Sequence, residues 1–233
     1  QITIYGFAKG PGMIAPNMGT MLAYIFIEAP LRKKDLKILL NSHLDSTFNS
    51  ISVDGDTSTS DTLMLFANNS KKTKVKMNKD LFSRLSSCLY KVMSNLSKQI
   101  VSDGEGISKL IEVSILNAKT KIQASKVAFS IANSMLVKTA IAGEDANWGR
   151  VVMAIGKADK NINQNKLIIK FDDLIVAKNG EVYKKIDIKK LNRYMKNRII
   201  KINVDLNIGI YTKQVWSSDL THDYVSINAD YRS

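Results

Sequence analysis

Two short apolar stretches flank a turn-rich segment near the start of the chain, and they constrain its fold most. Residues 2–8 and 21–27 each show the pattern typical of a β-strand. The segment between them, 9–20, contains three glycines and two prolines, which favour turns. The sequence therefore predicts two strands joined by a loop, with Thr20 at the start of the second strand.

Thr20 directly follows Gly19, and this pair suits a self-cleaving peptide bond. Gly19 has no Cβ that would hinder the neighbouring hydroxyl from folding back onto the Gly19 carbonyl. Cleavage would leave Thr20 as a first residue with both a hydroxyl and an α-amine, whose unperturbed pKa is roughly 7.7–8. Such an amine can accept the hydroxyl proton at neutral pH, so Thr20 is the candidate nucleophile. A turn without chemistry is the alternative interpretation.

Further along the chain, hydrophobic periodicity predicts both helices and strands. Leu36, Leu39, Leu40 and Leu44 recur at helical spacing. Helices are predicted near 79–100, 119–141 with a cap at Gly143, and 145–155; strands are predicted at 62–67, 166–171, 174–183, 199–206, 208–216 and 222–228. Asn179-Gly180 is a strong hairpin signal within 174–183. These elements make a mixed α/β or α+β protein, and residues 156–165 are the one soft boundary.

Length and composition narrow the class of protein. The 233 residues can bury one sizeable core or two modest ones, and 45% hydrophobic residues is ordinary for a globular protein. No apolar run reaches the length of a membrane span and no secretory signal is visible, which favours the cytoplasm. The single Cys88 excludes an internal disulfide, and its spacing with neighbouring leucines predicts a buried position on a helix.

The formal charge of +13 raises the possibility of nucleic-acid binding. Only six of the 34 basic residues are arginines, and the lysines are spread along the chain without aromatic residues arranged for base stacking. Dispersed lysines usually form a solvated face. We therefore expect no nucleic-acid partner and no membrane partner, and a lysine-rich binding module remains an alternative.

Four polar motifs follow the Gly19-Thr20 pair in a fixed order. They are Ser52 to Asp61 (SVDGDTSTSD), Gly104-Glu105-Gly106, Gly143 to Arg150 (GEDANWGR) and the terminal Ile227 to Ser233 (INADYRS). Together they resemble the ornithine acetyltransferase family of arginine biosynthesis, over the whole chain. Family members have a long additional segment upstream, so the resemblance implies that this chain is the carboxy-terminal part of a precursor.

The resemblance implies a ping-pong acetyltransferase that moves acetyl from N-acetylornithine to glutamate. It also implies a layered αββα sandwich with a smaller additional α/β portion. The cycle needs no cofactor, although some family members also accept acetyl-CoA as the acetyl donor. The implied partners are the upstream alpha segment of the same precursor and further copies, in an α2β2 heterotetramer.

For the reaction centre, the resemblance implies cleavage between Gly19 and Thr20 and an acetyl-Thr20 intermediate. Family members usually have alanine where this chain has Gly19, so the efficiency of cleavage is an open question. The family's oxyanion donors lie upstream of this chain. The implied organisation is 1–19 as the end of the alpha chain, 20–156 as the main part of the beta chain, and 157–233 as a strand-rich carboxy-terminal part.

The same resemblance implies four further substrate-binding residues beside Thr20. Lys9 is expected to bind a carboxylate, and Glu105 to bind the cationic amine of ornithine. Asn228 and Ser233 match the family's terminal substrate contacts, and Ser233 replaces the more usual threonine while keeping its hydroxyl. Solvent exposure of Lys9 and a turn or helix-start role for Glu105 are the alternatives without function.

The remaining polar residues have simpler interpretations. Asp54, Asp56 and Asp61 lack the spacing of a calcium loop, so loop scaffolding is expected rather than a metal site. The motif 144–150 is expected to form a structural network in which its acids pair with Arg150. His43 and His222 have no serine or cysteine partner at a recognisable spacing. A self-processed threonine amidase or aminopeptidase is the alternative enzyme.

Overall fold

The structure is a computed structural model that describes residues 2–10, 21–56, 61–68 and 76–230. Contacts divide the chain into two compact units, Gln1–Ile100 (unit 1) and Val101–Ser233 (unit 2). The boundary predicted between 156 and 157 falls inside unit 2. That boundary and the processing division at Thr20 stay predictions.

Unit 1 combines a small sheet with two helices. Its elements are β1 (Ile4–Lys9), β2 (Leu22–Ile27), α1 (Lys33–Leu44), a 3₁₀ turn (Phe48–Ser50), β3 (Ile51–Ser52), β4 (Thr62–Ala67) and α2 (Lys79–Ser102), whose last residues pass the unit boundary. β2 lies between β1, which is antiparallel to it, and β4, which is parallel to it. The strands predicted on both sides of segment 9–20 and at 62–67 are confirmed.

One face of this sheet packs against α2. Ala23, Ile25 and Ile27 alternate along β2 and are fully buried, as the period of a strand requires. Gly6 permits the close approach of α2, because a Cβ there would lie 2.8 Å from Leu96 Cδ1 and 3.0 Å from Val92 Cγ1. Burial therefore alternates along β2, as it does in a strand with one covered face.

The buried position predicted for Cys88 is wrong, since this residue is exposed. The buried stripe of α2 is formed by Leu85, Leu89, Met93 and Leu96. Cys88 immediately precedes Leu89, and successive residues of a helix are rotated by about 100° around its axis. Its side chain thus points away from the stripe that the leucines form.

Unit 2 contains the larger sheet and five helices in the part of the chain that the structure describes. Its elements are β5 (Leu110–Ala118), α3 (Lys121–Ala132), α4 (Met135–Ala142), α5 (Trp148–Ala158), a 3₁₀ turn (Gln164–Lys166), β6 (Ile168–Phe171), β7 (Leu174–Lys178), β8 (Glu181–Val182), α6 (Ile188–Tyr194), β9 (Ile199–Asp205), β10 (Tyr211–Ser218) and α7 (His222–Asp230). The unit 2 strands are arranged in the order β10, β5, β9, β6, β7, β8.

The core of unit 2 lies between its sheet and its helices. β5 pairs antiparallel with β10 and parallel with β9, and α3 packs on β5 and β10. Ile111, Val113 and Ile115 of β5 belong to one buried cluster together with Val127 and Ile131 of α3. A strand at this position was not predicted, although it lies within the sheet and carries much of the core.

Two predicted elements of unit 2 are corrected by the structure. The single helix 119–141 is two helices, because the Ser134 side chain accepts a hydrogen bond from the Val137 N–H and starts α4 as an N-cap. The strand predicted at 222–228 is the helix α7. The hairpin is confirmed, with Asn179 and Gly180 at φ values of 56° and 80°, as a primed turn requires.

The predicted mixed α/β fold class is confirmed, with helices packed on a sheet in each unit. Among the residues that the structure describes, no helix combines the length and apolar character needed to cross a membrane.

Candidate functional site

One end of the unit 1 sheet carries Lys9, which is one of the predicted site residues. Lys9 is the last residue of β1 and pairs with Leu22 at the start of β2, which in turn pairs with Thr62 at the start of β4. Lys9 is exposed. Its ammonium group is therefore available to a ligand at this sheet end, as the predicted carboxylate-binding role requires.

Met21, the residue that follows the predicted nucleophile, is held at both backbone polar groups. Its N–H donates to the Asp61 carboxylate, and its carbonyl oxygen accepts from the Thr62 N–H at 2.8 Å. Its side chain is buried, with 3% of its surface exposed. Partial burial raises the pKa of Asp61, whereas the Met21 N–H favours the carboxylate and opposes that shift. Asp61 thus has the scaffolding role expected for this loop.

Three of the predicted site residues lie outside the described residues. These are Gly19 and Thr20 of the predicted cleavage site and the terminal Ser233. The geometry of the candidate site therefore rests on their described neighbours and on the other predicted substrate contacts.

Glu105 lies in a tight loop that leads from α2 into β5. It is exposed and stands between Gly104 and Gly106. Gly106 has a φ of +62°, in the left-handed region that glycine adopts without strain, and a Cβ there would overlap the backbone of Tyr224. The glycine is thus required by both its backbone conformation and its close contact with α7.

Asn228 lies on α7, the helix that replaces the predicted strand. Its side-chain Nδ2 donates to the Tyr224 carbonyl oxygen at 2.9 Å, one turn earlier on the same helix. Gly106 contacts the backbone of Tyr224, so the loop that carries Glu105 lies against the first turn of α7, one turn before Asn228. The second and fourth polar motifs therefore both contribute to the surroundings of α7.

A group of buried charges lies behind this region, and sequence reasoning missed it. Asp219 is 1% exposed and accepts hydrogen bonds from the backbone N–H groups of Ser108 (2.9 Å) and Lys109 (3.1 Å). Lys109 Nζ lies 3.6 Å from Glu144 Oε1, and Lys138 Nζ lies 3.4 Å from Ser218 Oγ. The available signal was an aspartate placed between a strand and a helix-capping threonine.

A cleft of about 400 Å³ opens between the end of α4 and the start of α7. Its lining residues are Thr139, Ala142, Gly143, Leu220, Thr221, His222 and Val225. Gly143 belongs to the third polar motif, and Thr221 also contacts the Glu105 loop through its hydrogen bond to Gly106. The third motif, through Gly143, and the residue that bonds the Glu105 loop, Thr221, thus line the same cleft of unit 2.

The motif 144–150 forms a structural network, but the predicted pairing is wrong. Arg150 Nη1 donates to the Leu136 carbonyl oxygen at 2.8 Å and approaches Thr139 Oγ1 at 3.3 Å, instead of pairing with the acids of its own motif. Asn147 caps α5 by accepting from the Arg150 N–H at 3.1 Å. The guanidinium therefore ties α5 to α4.

His43 has a serine partner that its sequence spacing did not indicate. Its Nε2 lies 2.8 Å from Ser86 Oγ, in a contact between α1 and α2, and its ring lies 5.5 Å from that of Tyr90. Burial lowers the pKa of His43. The contact links two helices of unit 1. Within the described residues, no group of three or more histidine, cysteine, aspartate or glutamate side chains could hold a metal ion.

Comparison with known proteins decides the family. The ArgJ family model matches residues 1–233. This chain belongs to the ArgJ family. It is 48% identical over 237 residues to the arginine biosynthesis bifunctional protein ArgJ of Brucella melitensis, covering all of this chain and 57% of that protein. For the ArgJ protein of Bradyrhizobium diazoefficiens the identity is 47% over 238 residues, with 58% of that protein covered.

A solved structure supports the same assignment at the level of the fold. The crystal structure of ArgJ from Bacillus halodurans matches with a TM-score of 0.82 and 37% identity, over 91% of this chain and 100% of that chain. The resemblance predicted from the ordered motifs is confirmed. The chain spans just over half the length of the curated ArgJ relatives, and it corresponds to their carboxy-terminal part.

Proposed function

We propose that this chain is the part of an ornithine acetyltransferase that carries the nucleophile. Together with its upstream segment, it transfers acetyl from N-acetylornithine to glutamate in arginine biosynthesis. The observation that carries the proposal is the match of the whole chain to the ArgJ family, with Thr20 directly before a residue held at both backbone groups.

Self-cleavage is the first step of the proposed mechanism. The Thr20 hydroxyl attacks the Gly19 carbonyl carbon, and the Gly19–Thr20 C–N bond breaks as the ester forms, which frees the Thr20 α-amine. Water then hydrolyses the ester, which restores the Thr20 hydroxyl and leaves Gly19 with a terminal carboxylate. The Met21 contacts support this step, because they fix the backbone immediately after Thr20.

Acetyl transfer follows as a two-step exchange. The α-amine of Thr20 accepts the hydroxyl proton while the oxygen attacks the acetyl carbonyl, and ornithine leaves with a proton on its amine. Glutamate then attacks the acetyl-Thr20 ester through its amine, giving N-acetylglutamate and the free hydroxyl. Acetyl-CoA is an alternative acetyl donor, and no other cofactor enters the proposed cycle.

Each proposed substrate contact has a chemical partner. Lys9, exposed at the sheet end, binds a substrate carboxylate, and Glu105 binds the cationic side-chain amine of ornithine. Asn228 and Ser233 complete the binding of the amino-acid portion. We further propose an α2β2 assembly with the upstream alpha segment and a cytoplasmic location, where amino-acid biosynthesis takes place.

The test is the intact mass of the protein expressed from its complete precursor, before and after mixing with N-acetylornithine. We expect a break between Gly19 and Thr20 and one added acetyl group on Thr20, followed by transfer to glutamate. Release of free acetate without transfer would indicate an amidase. An uncut and unmodified chain would contradict the proposal.

A further inference from the structure

The Thr221 hydroxyl joins two segments of unit 2 that are far apart in sequence. Its Oγ1 donates to the Gly106 carbonyl oxygen and accepts from the Tyr224 N–H at 3.2 Å. One side chain therefore bonds both the loop that carries Glu105 and the first turn of α7. The bond to Tyr224 is an N-cap bond, which stabilises the start of the helix.

A second tie lies directly beside the first. Asp219 accepts from the Ser108 hydroxyl and from the N–H groups of Ser108 and Lys109. Its carboxylate is 1% exposed, so these donors replace water around a buried charge. Asp219 and Thr221 together hold segment 106–109, which directly follows Glu105. We call this segment, together with the two side chains that bond it, the Glu105 clasp.

Tyr224 connects the clasp to the other predicted substrate residue. Its backbone N–H bonds Thr221, while its carbonyl oxygen accepts from Asn228 Nδ2 at 2.9 Å. Gly106 contacts the same backbone so closely that a Cβ would overlap it. The loop that carries Glu105 and the side chain of Asn228 thus both contact the backbone of Tyr224.

Apolar packing contributes little to the position of α7, because none of its described residues is buried. The side-chain hydrogen bonds of the clasp therefore do more to fix the position of α7 than such bonds do for a helix packed in a core.

We propose that Thr221 is a positioning residue that sets Glu105 relative to Asn228, so that an amino acid with a cationic side chain is bound by both. This inference rests on the proposed function and adds to it a residue outside the four sequence motifs. Thr221 acts through the loop and α7 and does not itself touch the substrate.

The test uses the complete precursor with Thr221→Val, which keeps the shape of the side chain but removes its hydroxyl. We expect KM for N-acetylornithine to rise about tenfold with kcat within about twofold, because the acetyl-transfer chemistry is unchanged. Thr221→Ser retains the hydroxyl and should restore KM to within about twofold of the unmodified protein. An unchanged KM in Thr221→Val would overturn the proposal.

Thr120→Val is the matched control. Thr120 also caps a helix of unit 2, since it accepts from the Gln123 N–H at 3.0 Å, but it follows the opposite end of β5 from the clasp. The lost cap should destabilise the unit to a similar degree while KM stays unchanged. An equal rise of KM in Thr120→Val would assign the effect to stability and overturn the inference.

A double-mutant cycle separates positioning from general structure. If Thr221 acts through Glu105, Thr221→Val should raise KM far less in a Glu105→Gln background than in the unmodified protein. Full additivity would overturn the proposal. Should Thr221→Val not fold, Asp219→Asn takes its place, because a neutral amide oxygen accepts weaker hydrogen bonds than the charged carboxylate does. Its KM should rise several-fold, and an unchanged KM would contradict the inference.

The same measurements keep this inference distinct from the proposed function. If the unmodified precursor transfers no acetyl to glutamate, the proposed function fails before Thr221 is tested. If the unmodified precursor is active and Thr221→Val has an unchanged KM, only the positioning role fails.

Discussion

The sheet end in unit 1 and the Glu105 clasp in unit 2 hold their residues by different kinds of bond. Around Met21, β2 is paired with a strand on each side, and its alternate side chains are buried. In the clasp, segment 106–109 is held chiefly by the side chains of Thr221 and Asp219. At the sheet end many backbone hydrogen bonds fix the position of the chain, whereas in the clasp a few side-chain hydrogen bonds do so.

This difference suggests a division of tasks between the two regions. A nucleophile that must attack its own preceding carbonyl needs a backbone with little freedom, and a paired strand supplies this. A binding site for two different amino acids has to accept ornithine and glutamate in turn. Substitutions that disturb the backbone contacts of Met21 should therefore affect self-cleavage and acetyl transfer together. Substitutions in the clasp should affect substrate binding alone.

The largest expected effect is that of Thr20→Ala in the precursor. We expect self-cleavage to stop and acetyl transfer to fall by at least about 10⁴-fold, as in other enzymes that lose their nucleophile. Intact mass and the rate of N-acetylglutamate formation measure the two losses. Thr20→Ser is the control, since it keeps a hydroxyl and should still be processed. Normal turnover by Thr20→Ala would refute the mechanism.

Asp61→Ala tests whether the sheet end constrains the nucleophile through Met21. Removing the acceptor leaves a half-buried N–H without its partner, which typically costs about 1–3 kcal/mol. We expect self-cleavage and kcat to fall together by about 10–100-fold, measured by mass spectrometry over time and by steady-state kinetics.

Two further variants sharpen the test of Asp61. Asp61→Asn keeps an oxygen that can accept from Met21 and should retain most activity. Asp56→Ala changes an exposed aspartate of the same motif and should have little effect. A loss in Asp61→Asn as large as that in Asp61→Ala would show that the negative charge matters more than the hydrogen bond.

Glu105→Gln tests the other side of the comparison. The exchange removes the charge but keeps the shape, so the bond to the ornithine amine loses its charge-assisted part. We expect KM for N-acetylornithine to rise about tenfold, while self-cleavage stays within about twofold. Glu181→Gln, at an exposed glutamate of β8, is the control. Equal loss of binding and cleavage would mean that Glu105 has a structural role and that the two regions are not separable.

Sequence reasoning predicted the sheet end of unit 1 well, because its signals are local. Strands β1, β2 and β4 follow from short apolar stretches of the sequence, and a turn-rich segment separates the first two. The contact between Met21 and Asp61 could not be predicted in this way. It depends on the parallel pairing of β2 with β4, which no local pattern encodes.

The clasp and the helix α7 beside it were harder to predict for a physical reason. α7 has no buried residue and therefore no apolar stripe at helical spacing, so its apolar residues were interpreted as a strand. The better signal was its start, where Thr221 precedes an acid in the first turn. The roles of Glu105 and Asn228 came from the family resemblance. Only the structure shows that the loop of Glu105 and the side chain of Asn228 both contact the backbone of Tyr224.

The smallest expected effect concerns the helices behind the unit 1 sheet. Burial lowers the pKa of His43 below that of an unfolded histidine, about 6.5, so the folded state binds fewer protons than the unfolded state below that pH. The stabilising contribution of neutral His43 should therefore be lost as pH falls from about 6.5 towards the folded-state pKa.

We expect His43→Gln to flatten the fall in urea-unfolding midpoint between about pH 7 and pH 5, by an amount corresponding to at most about 1 kcal/mol. His222→Gln, at the exposed histidine of α7, is the control. Because His43 bonds Ser86 across α1 and α2, self-cleavage at fixed pH should change little. A large loss of cleavage in His43→Gln would show that the helices, and not the strand pairing alone, constrain the nucleophile.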